Sequence, residues 1–90
     1  MRLVSQTLSA NGQALGPWGV EENQTAGFSV AITGTITVTL QRSMDGTTNF
    51  VPVEAGYTSS TTKNVEGPGY YRLYATGVSG GSAVCSILAG

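Results

Sequence analysis

Between Phe28 and Leu40 the chain alternates: Phe28, Val30, Ile32, Ile36, Val38 and Leu40 share one parity, while Ser29, Thr33, Thr35, Thr37 and Thr39 share the other. A period of two is the spacing of a pleated strand with one apolar face, and the opposite face is here a ladder of hydroxyls. Gly34 falls in the apolar register, and the centre at Thr33-Gly34-Thr35 fits either a tight turn between two short strands or a bulge in one long one. A mean strand length of about five to six residues favours the turn.

Downstream, Asp45-Gly46 is a dipeptide that supplies positive φ where a hairpin reverses, and Phe50-Val51-Pro52-Val53 follows as the next strand. Pro52 removes a ladder donor, which places that strand at an edge or puts Pro52 at its first hydrogen-bond-free position. Ala55 to Lys63 reads as a polar edge strand led by Tyr57, with a weakly determined register. After Gly67-Pro68-Gly69 come two more strands, Tyr70 to Thr76 and Ala83 to Leu88, read as a terminal hairpin with Gly77 to Ser82 as its linker. Upstream of Phe28, Leu3 to Ala10 alternates acceptably and a short strand is expected near Trp18. The total is about seven strands at the spacing of an antiparallel β-sandwich, immunoglobulin-like or jelly-roll-like. All 90 residues fit one domain, with residues 1–27 the least regular and open to use as an extended contact arm.

Composition sharpens this. Four basic against five acidic residues give a net charge of −1, and only 10% of the chain is charged. With Arg2, Arg42, Lys63 and Arg72 as the cations, the chain cannot neutralise a run of phosphates, so nucleic acid is not an expected partner. There is no apolar run of about 18 residues, and residues 1–12 lack a basic cluster, an apolar core and a small-residue cleavage site, so neither membrane nor processing is expected. The lone Cys85 stands in the alternating run Ala83 to Leu88, where a small core hydrophobe belongs.

The motifs Gly34-Thr35-Ile36-Thr37-Val38-Thr39-Leu40-Gln41-Arg42-Ser43-Met44-Asp45-Gly46, Phe50-Val51-Pro52-Val53 and Pro68-Gly69-Tyr70-Tyr71-Arg72-Leu73 resemble small all-β structural proteins of tailed bacteriophages. The resemblance spans about two thirds of the chain, Phe28 to Leu88. It implies a virion component assembled in the host bacterial cytoplasm, foremost a capsid decoration or cement protein present in many copies, or as a homo-oligomer, on a lattice of major capsid protein. Fibre and baseplate modules share such patterns. Gly69-Tyr70-Tyr71-Arg72-Leu73 also resembles the penultimate strand of immunoglobulin-like and fibronectin-like sandwiches, which implies that the Tyr71 hydroxyl bonds back to loop backbone as a tyrosine corner. Trp18 comes too early to be the mid-chain core Trp of that pattern. Ser43 to Phe50 is similar to the Asp-box of sialidase-type propellers, but with Thr47 for Gly and Asn49 for Thr. The box implies a structural role for Asp45 in the turn.

Catalysis needs a nucleophile with a base, paired carboxylates, or metal ligands. The chain has no His and one Asp, and its Ser and Thr hydroxyls lack an obvious base. Glu54 with Glu66 would be the one glycosidase-like pair to consider, and Glu21-Glu22 reads as a solvated loop. A non-enzymatic protein without cofactor or metal is expected. Binding is the remaining class. The parity that turns Tyr71, Leu73 and Ala75 inward turns Tyr70, Arg72 and Tyr74 outward together, and Tyr and Arg are enriched at interface hot spots. The same row also fits a Tyr ladder with Arg72 stacked over the rings. Trp18, in its Pro/Gly setting, fits a core plug and an anchor into a neighbouring subunit equally. Arg42 follows the parity of Leu40 and is expected at a strand end, reaching solvent or Asp45. Partner-binding candidates are therefore Tyr70, Arg72, Tyr74 and Trp18. They serve a virion protein partner or, in the rival reading as a tail fibre or baseplate module, stack on carbohydrate.

Overall fold

Residues 2–89, described by a computed structural model, form six strands: β1 (Arg2–Leu8), β2 (Ala14–Val20), β3 (Thr25–Ser43), β4 (Val51–Pro52), β5 (Thr61–Glu66) and β6 (Gly69–Ala89). All pairings are antiparallel. The sheet runs β1-β6-β3-β4, with β2 also bonded to β6 and β5 also bonded to β3. β3 and β6 are thus one long central ribbon. β1 and β5 flank one half of it, and β2 and β4 flank the other.

The ribbon is folded over on itself. Phe28 lies near one end of β3, and Tyr71 pairs with Arg42 near the other. Fourteen residues of straight strand would separate them by roughly 46 Å, yet the two ring centroids are 6.0 Å apart. The fold lies in the middle, where β3 advances two residues from Thr35 to Thr37 while β6 goes from Gly80 to Thr76. β6 therefore carries two extra residues through the bend, the usual way a strand acquires a sharp local turn. Gly34, Gly77 and Gly80 all take positive φ there, and a Cβ on Gly81 would stand 2.4 Å from the Thr35 carbonyl oxygen. Only glycine lets the two backbones come this close.

Folding the ribbon encloses its apolar face. Phe28, Val30, Ile36, Val38 and Leu40 from β3 are buried with Tyr71, Leu73, Ala75, Ala83, Cys85 and Ile87 from β6. Leu8, Leu15, Val20 and Val65 close the core from the flanking strands. Leu40 and Leu73, paired across the ribbon and both fully buried, each contribute on the order of 2 kcal/mol by removal from water. Tyr71 is buried and its hydroxyl donates to the Glu66 carbonyl at 2.8 Å, the bond that the tyrosine-corner resemblance implies.

Several expectations are corrected. The described residues give six strands rather than about seven. Thr33-Gly34-Thr35 lies inside one 19-residue strand and is not a turn. Gly77 to Ser82 lies inside the 21-residue β6, and the segments on either side do not pair with each other but both pair with β3. The polar strand begins at Thr61, because Tyr57 is pinned by reciprocal backbone bonds to Val38, 3.0 and 2.7 Å. The strands expected at Leu3 to Ala10 and near Trp18 are present as β1 and β2, both hydrogen-bonded to β6.

Candidate interaction surface

The outer face of the β2–β4 half is built on the N-terminal part of β6. Alternation turns Tyr70, Arg72 and Tyr74 outward there, and cross-strand pairing sets them against Ser43, Gln41 and Thr39 of β3. Tyr70 is exposed, while Arg72 and Tyr74 are half-buried. Tyr70 lies flat against its surroundings, for a Cβ on Gly19 or Gly46 would stand 3.1 and 3.0 Å from its ring.

Arg72 is held between two rings. Its Cζ lies 3.8 Å from the Phe50 ring centroid and 4.7 Å from that of Tyr74, and its Nε donates to Gln41 Oε1 at 2.7 Å. Stacking on partly exposed rings contributes on the order of 0.5–1 kcal/mol per ring. The guanidinium is thereby fixed in place, and among the described residues its Nη groups donate to no protein acceptor. Its edge is pre-set to meet a carboxylate or carbonyl. The row is thus an outward-facing stack in which Arg72 lies over Tyr74 of its own strand and over Phe50. Phe50 and Gln41 belong to it as well. Alternation along β6 alone does not reveal them, because Phe50 arrives by the path of the chain after the Asp45 turn, and Gln41 through the β3–β6 register.

Trp18 is not part of this row. It pairs with Tyr71, the inward residue, and packs half-buried against the core. Arg42 is also placed differently from expectation. Its Nη2 donates to the Pro68 carbonyl, and its Cζ sits 6.0 Å from the Tyr71 ring centroid. Asp45 is not its partner because that carboxylate is already saturated by its own turn. Oδ1 accepts from Ser43 Oγ at 2.8 Å and from the Thr47 and Thr48 backbone N–H groups at 3.0 and 2.9 Å, and Oδ2 accepts from Thr48 Oγ1 at 2.7 Å. Ser43 is buried beneath the turn, and its single hydroxyl proton is shared between Asp45 Oδ1 and the Thr48 carbonyl oxygen, 2.5 Å away. The bonds from Thr48, Thr47 and Ser43 hold the Asp45 carboxyl well below the usual carboxylate range. Asp45 thus ties the hairpin, as its Asp-box likeness implies. Beside this turn, Met44, Val51, Pro52 and Val53 line a shallow groove of about 440 Å³.

Of Glu54 and Glu66, the first engages its carboxylate in hydrogen bonds and the second contributes its backbone carbonyl. Glu54 accepts from the Tyr57 hydroxyl at 2.7 Å and from Lys63 Nζ at 2.9 Å, and these contacts, the Tyr57 bond foremost, lower its pKa. Glu66 receives the Tyr71 hydroxyl on its backbone carbonyl. Cys85 is fully buried, and burial pushes its thiol up to about 11. Compared with known proteins, the chain matches no family model, no curated protein and no solved structure.

Proposed function

We propose that this chain is a non-enzymatic structural protein of a tailed-bacteriophage virion, a decoration or cement protein that binds the major capsid protein lattice. The observation that carries the reading is the braced outward row of Tyr70, Arg72 and Tyr74, with Arg72 immobilised between Phe50 and Tyr74. Side chains already ordered in the free protein lose little entropy on docking, so a small face can bind usefully. A shell that repeats the site many times multiplies a modest contact by avidity. The motif resemblance from Gly34 to Gly46 and from Pro68 to Leu73 supplies the virion context, and the surface needs no chemistry for the task. The folded-over sheet with its apolar faces inward suits a two-layer, immunoglobulin-like sandwich, supported by the Tyr71 bond to Glu66. The rival role, stacking sugar rings, draws less support, because Arg72 already covers one face of Tyr74 and one of Phe50.

The test is co-sedimentation of the purified chain with empty shells of the phage that encodes it. Tyr74→Ala removes one of the two rings that hold Arg72 and is expected to weaken attachment by about 2 kcal/mol. Unchanged occupancy of shells by the mutant counts against the row as the contact. Glycan-array binding without shell binding would replace the reading with the carbohydrate one.

A further inference from the structure

A sheet that is not closed must end in edge strands, and an edge with unpaired N–H and C=O groups is a template for another strand. Three of the four flanking strands here carry the devices that discourage such pairing. β2 contains Pro17 and a register break between Leu15 and Trp18. β4 is two residues long and includes Pro52. β5 carries Lys63 and Glu66. β1 differs. From Leu3 to Leu8 it has no charge, no proline, no glycine and no break in its register with β6. It bonds to β6 on one side only, so alternate backbone groups along its other side face outward.

The surface that β1 borders is equally unguarded. Leu3 pairs with Leu88, Ser5 with Ser86 and Thr7 with Val84, all on the outer face of this half. Leu3 is 64% exposed, Val84 49% and Leu88 43%. These three rows bring no charge up to the edge that would repel a copy of themselves.

We infer that β1 pairs with β1 of a second copy, antiparallel about a two-fold axis at Ser5. The strand is self-complementary under that operation. Leu3 comes opposite Thr7 and Val4 opposite Gln6, so outward residues meet outward residues and the pleat continues from one sheet into the next. From Leu3 to Leu8 a foreign strand finds no charge on β1 to select it, whereas an identical strand satisfies register and polarity together. The contact is a single strand edge of roughly 23 Å, which buries less than the ~1,200 Å² of a stable complex. The dimer is therefore weak alone and forms where copies are concentrated. This inference stands apart from the capsid reading, since it uses a different edge and different residues.

Sedimentation equilibrium of the full chain, taken to about 1 mM as befits a small interface, tests it. Ser5→Lys and Ser5→Glu each set like charges face to face across the axis, and each is expected to weaken dimerisation at least ~tenfold. An equimolar mixture of the two restores it as a heterodimer, which also shows that both variants are folded. Protection of amides in residues 3–7 should rise with concentration in the unmodified chain and not in either variant alone. A chain that stays monomeric throughout, or a dimer indifferent to charge at Ser5, overturns the inference. A monomer that still coats shells would leave the capsid reading intact, and a dimer that ignores shells would do the reverse.

Discussion

Asp45 accepts four hydrogen bonds from Ser43, Thr47 and Thr48, and so stands in for backbone partners that a turn of this length lacks. Those bonds favour its charged form, so the folded chain resists protonating a group that the unfolded chain protonates near pH ~3.9. Where the unfolded state binds more protons, stability rises with pH. The contribution of Asp45 is thus complete above the unfolded value and declines as pH falls through the acid range. Glu54, lowered by Tyr57 and Lys63, adds in the same direction. Asp45→Asn removes one of these titrations. The fall in urea midpoint between neutral and acid pH is expected to be smaller in this variant than in the unmodified chain. The turn itself is legible in the chain, because Asp-Gly and the hydroxyls around it have few other uses. The destination of Arg42 is not, since only the β3–β6 register brings the Pro68 carbonyl beside it.

At the scale of the strands, the same alternation that exposes the apolar face hides the bend. Two extra residues on β6 are an even number, so Tyr71, Leu73 and Ala75 before the bend and Ala83, Cys85 and Ile87 after it keep one parity. Periodicity consequently predicts the buried residues of β6, though on β3 it also includes the half-buried Ile32, and it says nothing about whether the glycines between end a strand or kink it. Mean strand length then points to turns, and the tertiary pairing of β3 with β6 overrides it. The four glycines of the bend have separate jobs that substitution can resolve. Gly80 has positive φ and open space around its Cβ position, so Gly80→Ala costs only backbone strain, about 1 kcal/mol. A Cβ on Gly81 would stand 2.4 to 2.5 Å from the Thr35 backbone, and Gly81→Ala is expected to cost about 2 kcal/mol or more because main chain must move. Urea denaturation of the pair checks the order, which a flexible linker at this place would not produce.

For the molecule as a whole, the core is shared between the two halves of one folded ribbon, so neither half has a core of its own. Cys85 sits fully buried within it on β6. With its thiol raised to about 11 by burial, it is inert until the fold opens. Labelling by a thiol reagent is expected to follow global unfolding, with the same denaturant dependence as the far-ultraviolet signal, and labelling faster than that would show the halves separating locally. β6 also gives this architecture an order of events. It is the last of the six strands along the chain, yet β1, β2 and β3 all pair with it, and among the described residues it is the strand with which β1 and β2 pair. On the ribosome both strands must therefore wait for their partner segments, β2 from Val20 until Gly69 is made and β1 from Leu8 until Ala83 is made. A nascent chain arrested before Gly69 holds no more than β3 with its short neighbours, and assembly is completed only after synthesis has delivered the strand that the others share.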